Sequence, residues 1–242
     1  MTSPVDRLIA RLERRDNLSA DEKETLTNSV GRLRLVSAKD DIVREGNRPS
    51  ESSLLVDGFA ARYKVLAEGG RQITAIHVPG DFVDLHSFLL KTMDHGVAAL
   101  SDCKLAMVPH CTLAKITEHK PHLTRLLWLL TLIDSATHRE WLTMMGRSSA
   151  TTHMAHLICE LFCRLQAVGL TEGEAYLCPL TQQELGDTLG LSNVHVNRVL
   201  KELRTRNLVS WRNGLVTIHN WNGLQEFAEF SPAYLNVQHE PR

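Results

Sequence analysis

The sequence predicts an α+β protein with three parts: an N-terminal antiparallel β-roll of the cupin or jelly-roll kind, one long helix, and a C-terminal winged helix-turn-helix. Three observations lead to this fold class. Short segments rich in β-formers alternate with glycine and proline turns in the first half of the chain. A 4-3 apolar stripe follows Pro121, and residues 180–219 have the order of elements of a winged helix.

The chain has 242 residues, which is enough for two domains. We expect a sensor roll with N-terminal helices over residues 1–118 and a dimerisation helix over 119–146. The winged helix-turn-helix is predicted over 147–222, and residues 223–242 form a C-terminal extension.

Composition restricts the class of protein. Hydrophobic residues make up 43% of the chain and charged residues 23%, as is typical of a folded globular protein. The net charge is −1, from 27 basic and 28 acidic residues, so any nucleic-acid surface must be local. The longest apolar run, residues 126–133, is much shorter than the roughly 18 residues of a membrane span. The first residues show no secretory signal, so we expect a cytoplasmic protein without a membrane partner.

The first half of the chain is predicted to start with helices and to continue as strands. Residues 5–35 are predicted as short helices, one of which begins at the capping signature Ser19-Ala-Asp-Glu22. The period then changes, and Gly69-Gly70 predicts the turn of a β-hairpin. Short strands joined by tight turns indicate an antiparallel roll rather than a βαβ sheet. The predicted strands are 53–59, 60–67, 71–78 and 103–109.

A long helix is predicted from Pro121 to about Gly146, with a second helix over about 152–168. Apolar residues of the long helix step by four and three over roughly three heptads, the pattern of a two-stranded coiled coil. We therefore predict that this helix pairs two chains; the alternative is a stripe that packs on the chain's own roll. The predicted dimerisation residues are Leu126, Leu130, Ile133, Thr137, Trp141 and Met144.

Residues 180–219 carry the strongest functional signal. A capping box at Thr181-Gln-Gln-Glu184 begins a short helix over 182–189. A glycine supplies the turn after it, and Ser192 caps a second helix. Asn213-Gly214 is the favoured two-residue turn of the hairpin that follows. Two helices followed by a β-wing predict a winged helix-turn-helix.

The second helix of this motif has one apolar and one polar face on a helical wheel. Its apolar residues Val196, Val199, Leu200 and Leu203 are predicted to pack inward. Arginine can bind a guanine edge, asparagine an adenine edge, and valine can touch a thymine methyl group in the major groove. A solvated helix in an ordinary domain would explain the charges but not this order of elements. The predicted DNA-binding residues of this helix are Asn193, Val194, His195, Asn197, Arg198 and Lys201.

In combination these motifs resemble the Crp/Fnr family of transcription regulators over almost the whole chain. The resemblance is carried by Pro79-Gly-Asp-Phe82 in the roll, the long helix, residues 180–192 and residues 194–203. It implies a bacterial homodimer that binds a twofold-symmetric site in double-stranded DNA, with its recognition helices about 34 Å apart. An activator of this kind would also contact RNA polymerase through exposed loops.

The same resemblance implies roles for single residues. Thr181 and Gln183 would contact the DNA phosphate backbone, Ser192 would make a contact at the start of the recognition helix, and Arg198 would read a guanine. The chain departs from the family at Val194, where much of the family has a glutamate that accepts from a cytosine amino group. We therefore expect a half-site with a guanine opposite Arg198 and a thymine near Val194.

The roll departs from the cyclic-nucleotide-binding members of the family. Those members bind the phosphate with an Arg-Ser pair, whereas no arginine occurs here between Arg71 and Arg125. A buried phosphate needs the charge and fork geometry of arginine, and Asp84 and Asp94 would add repulsion. We therefore expect no binding of cyclic AMP or cyclic GMP.

For other effectors, the sequence predicts no cofactor and no metal site. An iron–sulfur cluster is not expected, because no cysteine precedes Cys103. A redox switch at Cys103 or Cys111 is one alternative, and a roll that serves only for dimerisation is another. Haem is the remaining alternative, since four histidines lie in or near the roll: His77, His86, His95 and His110.

The competing class is a cupin-like metal-binding enzyme fused to a binding module. Cupin sites need closely spaced histidines and a carboxylate on adjacent strands. His77 and His86 are poorly spaced for such a site, and the sequence has no nucleophile–base constellation. We therefore expect a sequence-specific, DNA-binding transcription regulator that is not an enzyme, with the roll sensing an effector or redox state.

Overall fold

The computed structural model describes residues 3–241 and has the three predicted parts: the roll, the long helix and the C-terminal winged helix-turn-helix. In that range no helix is both long and apolar enough to cross a membrane. The N-terminal part consists of α1 (Asp6–Glu13), α2 (Ala20–Asn28), β1 (Arg32–Val36), β2 (Asp41–Val43), β3 (Glu51–Asp57), β4 (Ala60–Val65), β5 (Arg71–His77), α3 (Ser87–Leu90), β6 (Gly96–Ala99) and β7 (Cys103–Pro109).

Helices lead from the roll into the C-terminal part. The elements are α4 (His110–His119), α5 (Pro121–Arg147), α6 (Ala150–Ala167), β8 (Ala175–Leu177), α7 (Gln182–Leu189), α8 (Asn193–Thr205), β9 (Val209–Arg212), β10 (Leu215–Ile218), α9 (Trp221–Phe227) and a 3₁₀ turn over Pro232–Leu235. The capping box predicted at Ser19 is present at the start of α2.

Two antiparallel sheets form the roll, as the sequence predicts. One has the strand order β1-β7-β3 and the other β2-β6-β4-β5. Consecutive residues of a strand point to opposite faces, and Leu54 and Leu55 of β3 accordingly pack in two different apolar clusters. The predicted hairpin joins β4 to β5, with Arg62 opposite Ala75.

The prediction of helices up to residue 35 is wrong for its last part. Residues 32–36 form β1, which pairs with β7 and places Arg32 opposite Met107. Leu33 and Leu35 are exposed, so β1 lacks the buried alternation by which a strand is recognised. Strands β2 and β6 were also not predicted, because three or four residues are too few to show a period.

Strand β3 ends two residues earlier than predicted, and Gly58 is the reason. Its φ is +90°, and a Cβ at this position would lie 2.3 Å from the carbonyl oxygen of Asp102. Only glycine fits so close an approach with that backbone conformation.

The predicted dimerisation stripe of α5 is buried within the chain itself, which corrects the prediction that it pairs two chains. Leu126 is fully buried, and the upper half of the stripe packs against α1, α2 and α4. Helix α5 has apolar residues on two sides, so the spacing alone does not show which side packs on the roll and which side would face a second chain. All six stripe residues are buried: Leu126, Leu130, Ile133, Thr137, Trp141 and Met144. The opposite side of the helix exposes Trp128, Leu132, Leu142 and Met145.

The C-terminal part is the predicted winged helix-turn-helix. Strands β9 and β10 form the wing, and both residues of its turn have positive φ, 52° at Asn213 and 77° at Gly214. This is the two-residue turn that suits the twist of a hairpin. The sheet has a third strand, β8, which pairs with β10.

The C-terminal extension packs on helix α6. Leu224 and Phe230 are buried there, and the ring of Phe230 meets the ring of His156 edge-on at 5.1 Å. The hydroxyl of Tyr234 donates to Glu160 Oε2 at 2.9 Å. The extension is thus part of the core of the winged domain.

A chain of buried charged groups joins the roll to the winged domain. Asp81, in the turn after β5, accepts from Arg164 Nη2 of α6 at 2.6 Å and forms an ion pair with Arg11 of α1. Arg164 Nη1 also donates to Glu160 at 2.9 Å, and Glu160 accepts from the indole of Trp141 at 2.9 Å. Because buried charges are costly unless paired, these ion pairs and hydrogen bonds favour one arrangement of the two domains.

Candidate nucleic-acid interface and roll cavity

The capping box fixes the start of helix α7. Thr181 Oγ1 accepts from the Glu184 backbone N–H at 3.2 Å, and Glu184 Oε2 accepts from the Thr181 backbone N–H at 2.7 Å. Two backbone N–H groups at the start of the helix are therefore satisfied reciprocally. Thr181 and Gln183, the two residues expected at the DNA phosphates, are exposed.

The turn between α7 and α8 depends on small residues and a serine cap. A Cβ at Gly186 would lie 2.5 Å from the carbonyl oxygen of Leu191, so the turn passes closely over α7. Gly190 ends α7 with φ 69°. Ser192 Oγ accepts from the His195 backbone N–H at 3.3 Å and so caps α8, as predicted.

Helix α8 has the two faces that the helical wheel predicts. Val196, Val199 and Leu203 are buried. On the opposite side Val194 is 81% exposed, and Arg198 is exposed. The face also contains exposed Asn193, Asn197 and Lys201, with His195 half-buried.

The asparagines of this face are tied to α7 by amide pairs. Asn197 and Gln182 exchange two hydrogen bonds of 2.8 Å. Asn193 donates to Gln183 at 3.2 Å, and Gln183 donates to Asp187 at 2.7 Å. Sequence reasoning missed Gln182 and Asp187, because no spacing signal predicts a pair between two helices. The pairs set the orientation of the polar groups that DNA would meet.

The basic residues near α8 differ in their surroundings. Arg206 forms an ion pair with Glu202 at 2.9 Å and lies over the ring of Phe227 at 4.9 Å. Over residues 3–241, neither Arg198 nor Lys201 has a salt bridge within 4.0 Å. The outward face of α8 therefore presents two positive charges outside any salt bridge, where phosphate and base edges can reach them.

Helix α7 also contacts the roll. Arg71 at the start of β5 forms an ion pair with Asp187 at 2.8 Å, and the Gln72 side chain donates to the Thr188 carbonyl at 3.2 Å. Asp187 also accepts from Gln183. It therefore links Arg71 of the roll to a residue that is expected to contact the DNA phosphates.

A cavity of about 620 Å³ lies between the roll and helices α5 and α6. Arg62 of β4 lines this cavity. The sequence did not identify Arg62 as a site residue, because it lies outside the segment that binds phosphate in the family. Its guanidinium donates to Asp134 at 2.9 Å and lies 2.9 Å from His138. Burial raises the pKa of Asp134, but the charges of Arg62, His77 and His138 and the hydrogen bond from Arg62 together outweigh burial and lower that pKa to about 2.

Two histidines and an aspartate come together at one end of the cavity. One ligand-type atom each from His86, Asp94 and His95 lie within 4.8 Å of one another. Burial and the charge of Arg62 lower the pKa of His86 to about 4. His110, named with them from the sequence, lies apart and contacts Ser52 at 3.2 Å. The eight-residue separation of His86 and Asp94 matches no metal motif, so the spacing predicted no such cluster.

The cysteines are all free thiols. Burial raises the pKa of the Cys103 thiol to about 11, which keeps it protonated and unreactive at neutral pH. Cys111 is exposed. The environment of Cys103 therefore disfavours this cysteine as a redox switch.

Two family models match the chain. The model of the cyclic nucleotide-binding domain matches residues 33–120, and the model of the Crp-like helix-turn-helix domain matches residues 152–227. The first match covers most of the roll and helix α4, and the second covers the winged domain up to the end of α9.

The chain is also similar to known regulatory proteins and to solved structures over most of its length. The chain is 25% identical to the transcriptional activator protein FnrL of Cereibacter sphaeroides, over 78% of this chain and 77% of that protein. It is 22% identical to the fumarate and nitrate reduction regulatory protein of Yersinia pestis, over 87% of this chain and 84% of that protein. The structure of FixK2 from Bradyrhizobium japonicum superposes with a TM-score of 0.75 at 23% identity, over 83% of this chain and 98% of the other.

Proposed function

The chain belongs to the Crp/Fnr family of transcription regulators, and on that premise we propose that it is a homodimer that binds a twofold-symmetric DNA sequence. The observation that carries the proposal is the outward face of α8, where Val194, Arg198 and Lys201 are exposed while the opposite face is buried. A cytoplasmic protein of this kind has direct access to the chromosome.

The chemistry of the α8 face supports sequence-specific binding in the major groove. Arg198 presents a guanidinium that can bind a guanine edge through two hydrogen bonds, and Val194 presents methyl groups to a thymine. Thr181 and Gln183 lie at the exposed start of α7, where side chains and backbone N–H groups can meet phosphates. We propose that these contacts set the position of α8 while Arg198 and Val194 select the sequence.

The exposed side of α5 supports pairing of two chains. Trp128 is 65% exposed and Leu142 is 73% exposed, and Leu132 lies between them on the same side. The spacing from residue 128 to 132, 135, 139 and 142 is the 4-3 pattern of a coiled-coil seam. We propose that this seam, rather than the buried stripe, pairs two chains, so that two α8 helices read the two halves of the site.

We also propose that the cavity does not bind a cyclic nucleotide. The guanidinium of Arg62 is already engaged by Asp134 and His138, and those of Arg11 and Arg164 are paired with Asp81. The carboxylates of Asp81, Asp94 and Asp134 line the cavity. A phosphate would therefore meet carboxylates without a free arginine fork. Calorimetric titration with cyclic AMP and cyclic GMP is expected to give no heat of binding; micromolar binding would overturn this proposal.

The proposed function is tested by capture of genomic fragments from the source organism with the purified protein, followed by footprinting. We expect enrichment of a few fragments over competitor DNA. Each should show a protected site whose two halves lie about one helical turn, roughly 34 Å, apart. Equal recovery of all fragments, or protection of a single half, would contradict the proposal.

A further inference from the structure

We propose that His86, Asp94 and His95 form a binding site for one divalent transition-metal ion of the zinc class. Two imidazoles and one carboxylate are a donor set that zinc and neighbouring first-row metals accept. Metal binding of this kind is separate from the proposed function, because it needs neither DNA nor a second chain.

The donor atoms of the three residues lie close together. The three ligand atoms lie within 4.8 Å of one another, and His95 Nδ1 lies 2.8 Å from Asp94 Oδ1. Zinc–nitrogen and zinc–oxygen bonds of about 2.0–2.2 Å require ligand atoms roughly 3.4 Å apart in a tetrahedral site. Rotation of the exposed Asp94 carboxylate and small shifts of the imidazoles would close that difference.

Each of the two imidazoles has one buried nitrogen, Nε2, without a hydrogen-bond partner. The side chain of His95 is only 8% exposed, and its Nε2 has no hydrogen-bond partner; the Nε2 of His86 is likewise buried and without a partner. A buried polar atom that makes no hydrogen bond is costly. The imidazole rings lie 4.9 Å apart, centroid to centroid. Coordination of one ion would satisfy nitrogen lone pairs of both rings.

The backbone at both histidines is held in place without a bound ion. His86 is the cap residue of α3, and its carbonyl accepts from the backbone N–H groups of Leu89 and Leu90. His95 is followed by Gly96, which lies directly beneath the ring of Tyr63: a Cβ there would come within 2.4 Å of that ring. A metal site needs ligands fixed by their surroundings, and both histidines have this support.

The surroundings of the cluster allow an ion to enter and suggest its effect on the fold. Asp94 is exposed, so an ion can enter from solvent, whereas the histidines face the cavity. Leu90 of α3 lines the same cavity as Thr131 and Ser135 of α5. An ion that joins His86 to the loop before β6 would therefore fix α3 next to the long helix.

The test uses the untagged full-length protein, without DNA. We expect metal-free protein to bind about one equivalent of Zn²⁺ in calorimetric titration, and added Co²⁺ to give the visible absorption of a coordinated ion. The variants His86→Ala and Asp94→Asn should each weaken Zn²⁺ binding at least tenfold. Asp94 is exposed, so Asp94→Asn tests the site without risk to folding.

The control is His119→Ala, which removes an exposed histidine outside the cluster and should bind Zn²⁺ as the unmodified protein does. Circular dichroism confirms that each variant folds. The proposal is overturned if the unmodified protein binds Zn²⁺ no more tightly than Asp94→Asn does, or if His119→Ala abolishes binding.

Discussion

Arg198 and Arg206 lie eight residues apart on one basic segment but in different surroundings. Arg198 is exposed and forms no salt bridge with any of residues 3–241. Arg206 forms an ion pair with Glu202 and packs over the ring of Phe227. The exposure of Arg198 could be predicted from the helical wheel alone. The fixation of Arg206 could not, because Phe227 lies on a separate helix beyond the wing.

This difference makes Arg198→Ala a sharp test at the residue scale. We expect a loss of about 1–3 kcal/mol in binding free energy and a relaxed preference at one base pair, because a bidentate base contact is removed. The measurement is fluorescence anisotropy with a bound DNA sequence and its single-base variants. Arg206→Ala is the matched control and should leave the base preference unchanged; if Arg198→Ala does the same, the proposed docking is wrong.

His153 gives a prediction for the effect of pH on stability. It is buried in α6, and burial together with the nearby His156 lowers its pKa to about 4. Between about pH 4 and pH 6.5 the unfolded chain therefore binds a proton that the folded chain excludes. The folded state should lose up to about 1.4 kcal/mol of stability for each pH unit through that window as pH falls.

The variant His153→Gln isolates this contribution, because glutamine does not titrate. Urea unfolding at several pH values should show the stability of the unmodified protein falling relative to His153→Gln as pH drops from 6.5 to 4. The exposed His119→Gln serves as control and should follow the unmodified protein. A constant difference between unmodified protein and His153→Gln across this range would show that His153 keeps an ordinary pKa.

At the scale of elements, local sequence signals predicted the bounds of helices, whereas contacts between distant parts of the chain could not be predicted. The bounds of α7 follow from its capping box and from Gly190, both of which act within one turn. Strand β1 was missed because its pairing with β7 joins residues about 70 positions apart. For α5 the helix was predicted but its partner was not, since apolar residues occupy both sides and only the fold decides which side the chain covers.

The exposed seam of α5 yields the prediction at this scale. The double variant Trp128→Ser/Leu142→Ser removes two large exposed side chains and should convert a dimer into a monomer, as seen by light scattering. Both positions are exposed in the single chain, so the fold should be retained. Leu35→Ser, at an exposed leucine of the roll, is the control and should leave the dimer intact. A stable dimer of the double variant would place the interface elsewhere.

At the scale of the whole molecule, the two domains meet through charged groups rather than through an apolar surface alone. Asp81 belongs to the Pro-Gly-Asp-Phe turn, which the sequence marks only as a family motif. The structure gives it a physical role, since it accepts from Arg164 of the winged domain. No periodicity could have predicted this contact, because its partners are 83 residues apart.

Removal of Arg164 should therefore destabilise the molecule strongly. Arg164→Met leaves Glu160 and Asp81 buried with one partner fewer, and breaking a buried pair in this way costs about 3–5 kcal/mol. Urea unfolding measures the loss. Arg32→Ala breaks an exposed ion pair with Glu51 and is the control, with an expected loss of about 0–1 kcal/mol. Equal losses in the two variants would mean that the chain of charges between the domains contributes little.

We propose above all that two chains together read one twofold-symmetric DNA sequence. Selection of bound sequences from a random pool of double-stranded DNA tests it most directly, because it assumes nothing about the site. We predict an inverted repeat with half-sites about one helical turn apart, a guanine at the position of Arg198 and a thymine near Val194. A pool without an inverted repeat after selection, or the half-site of the glutamate-bearing family members, would contradict the account.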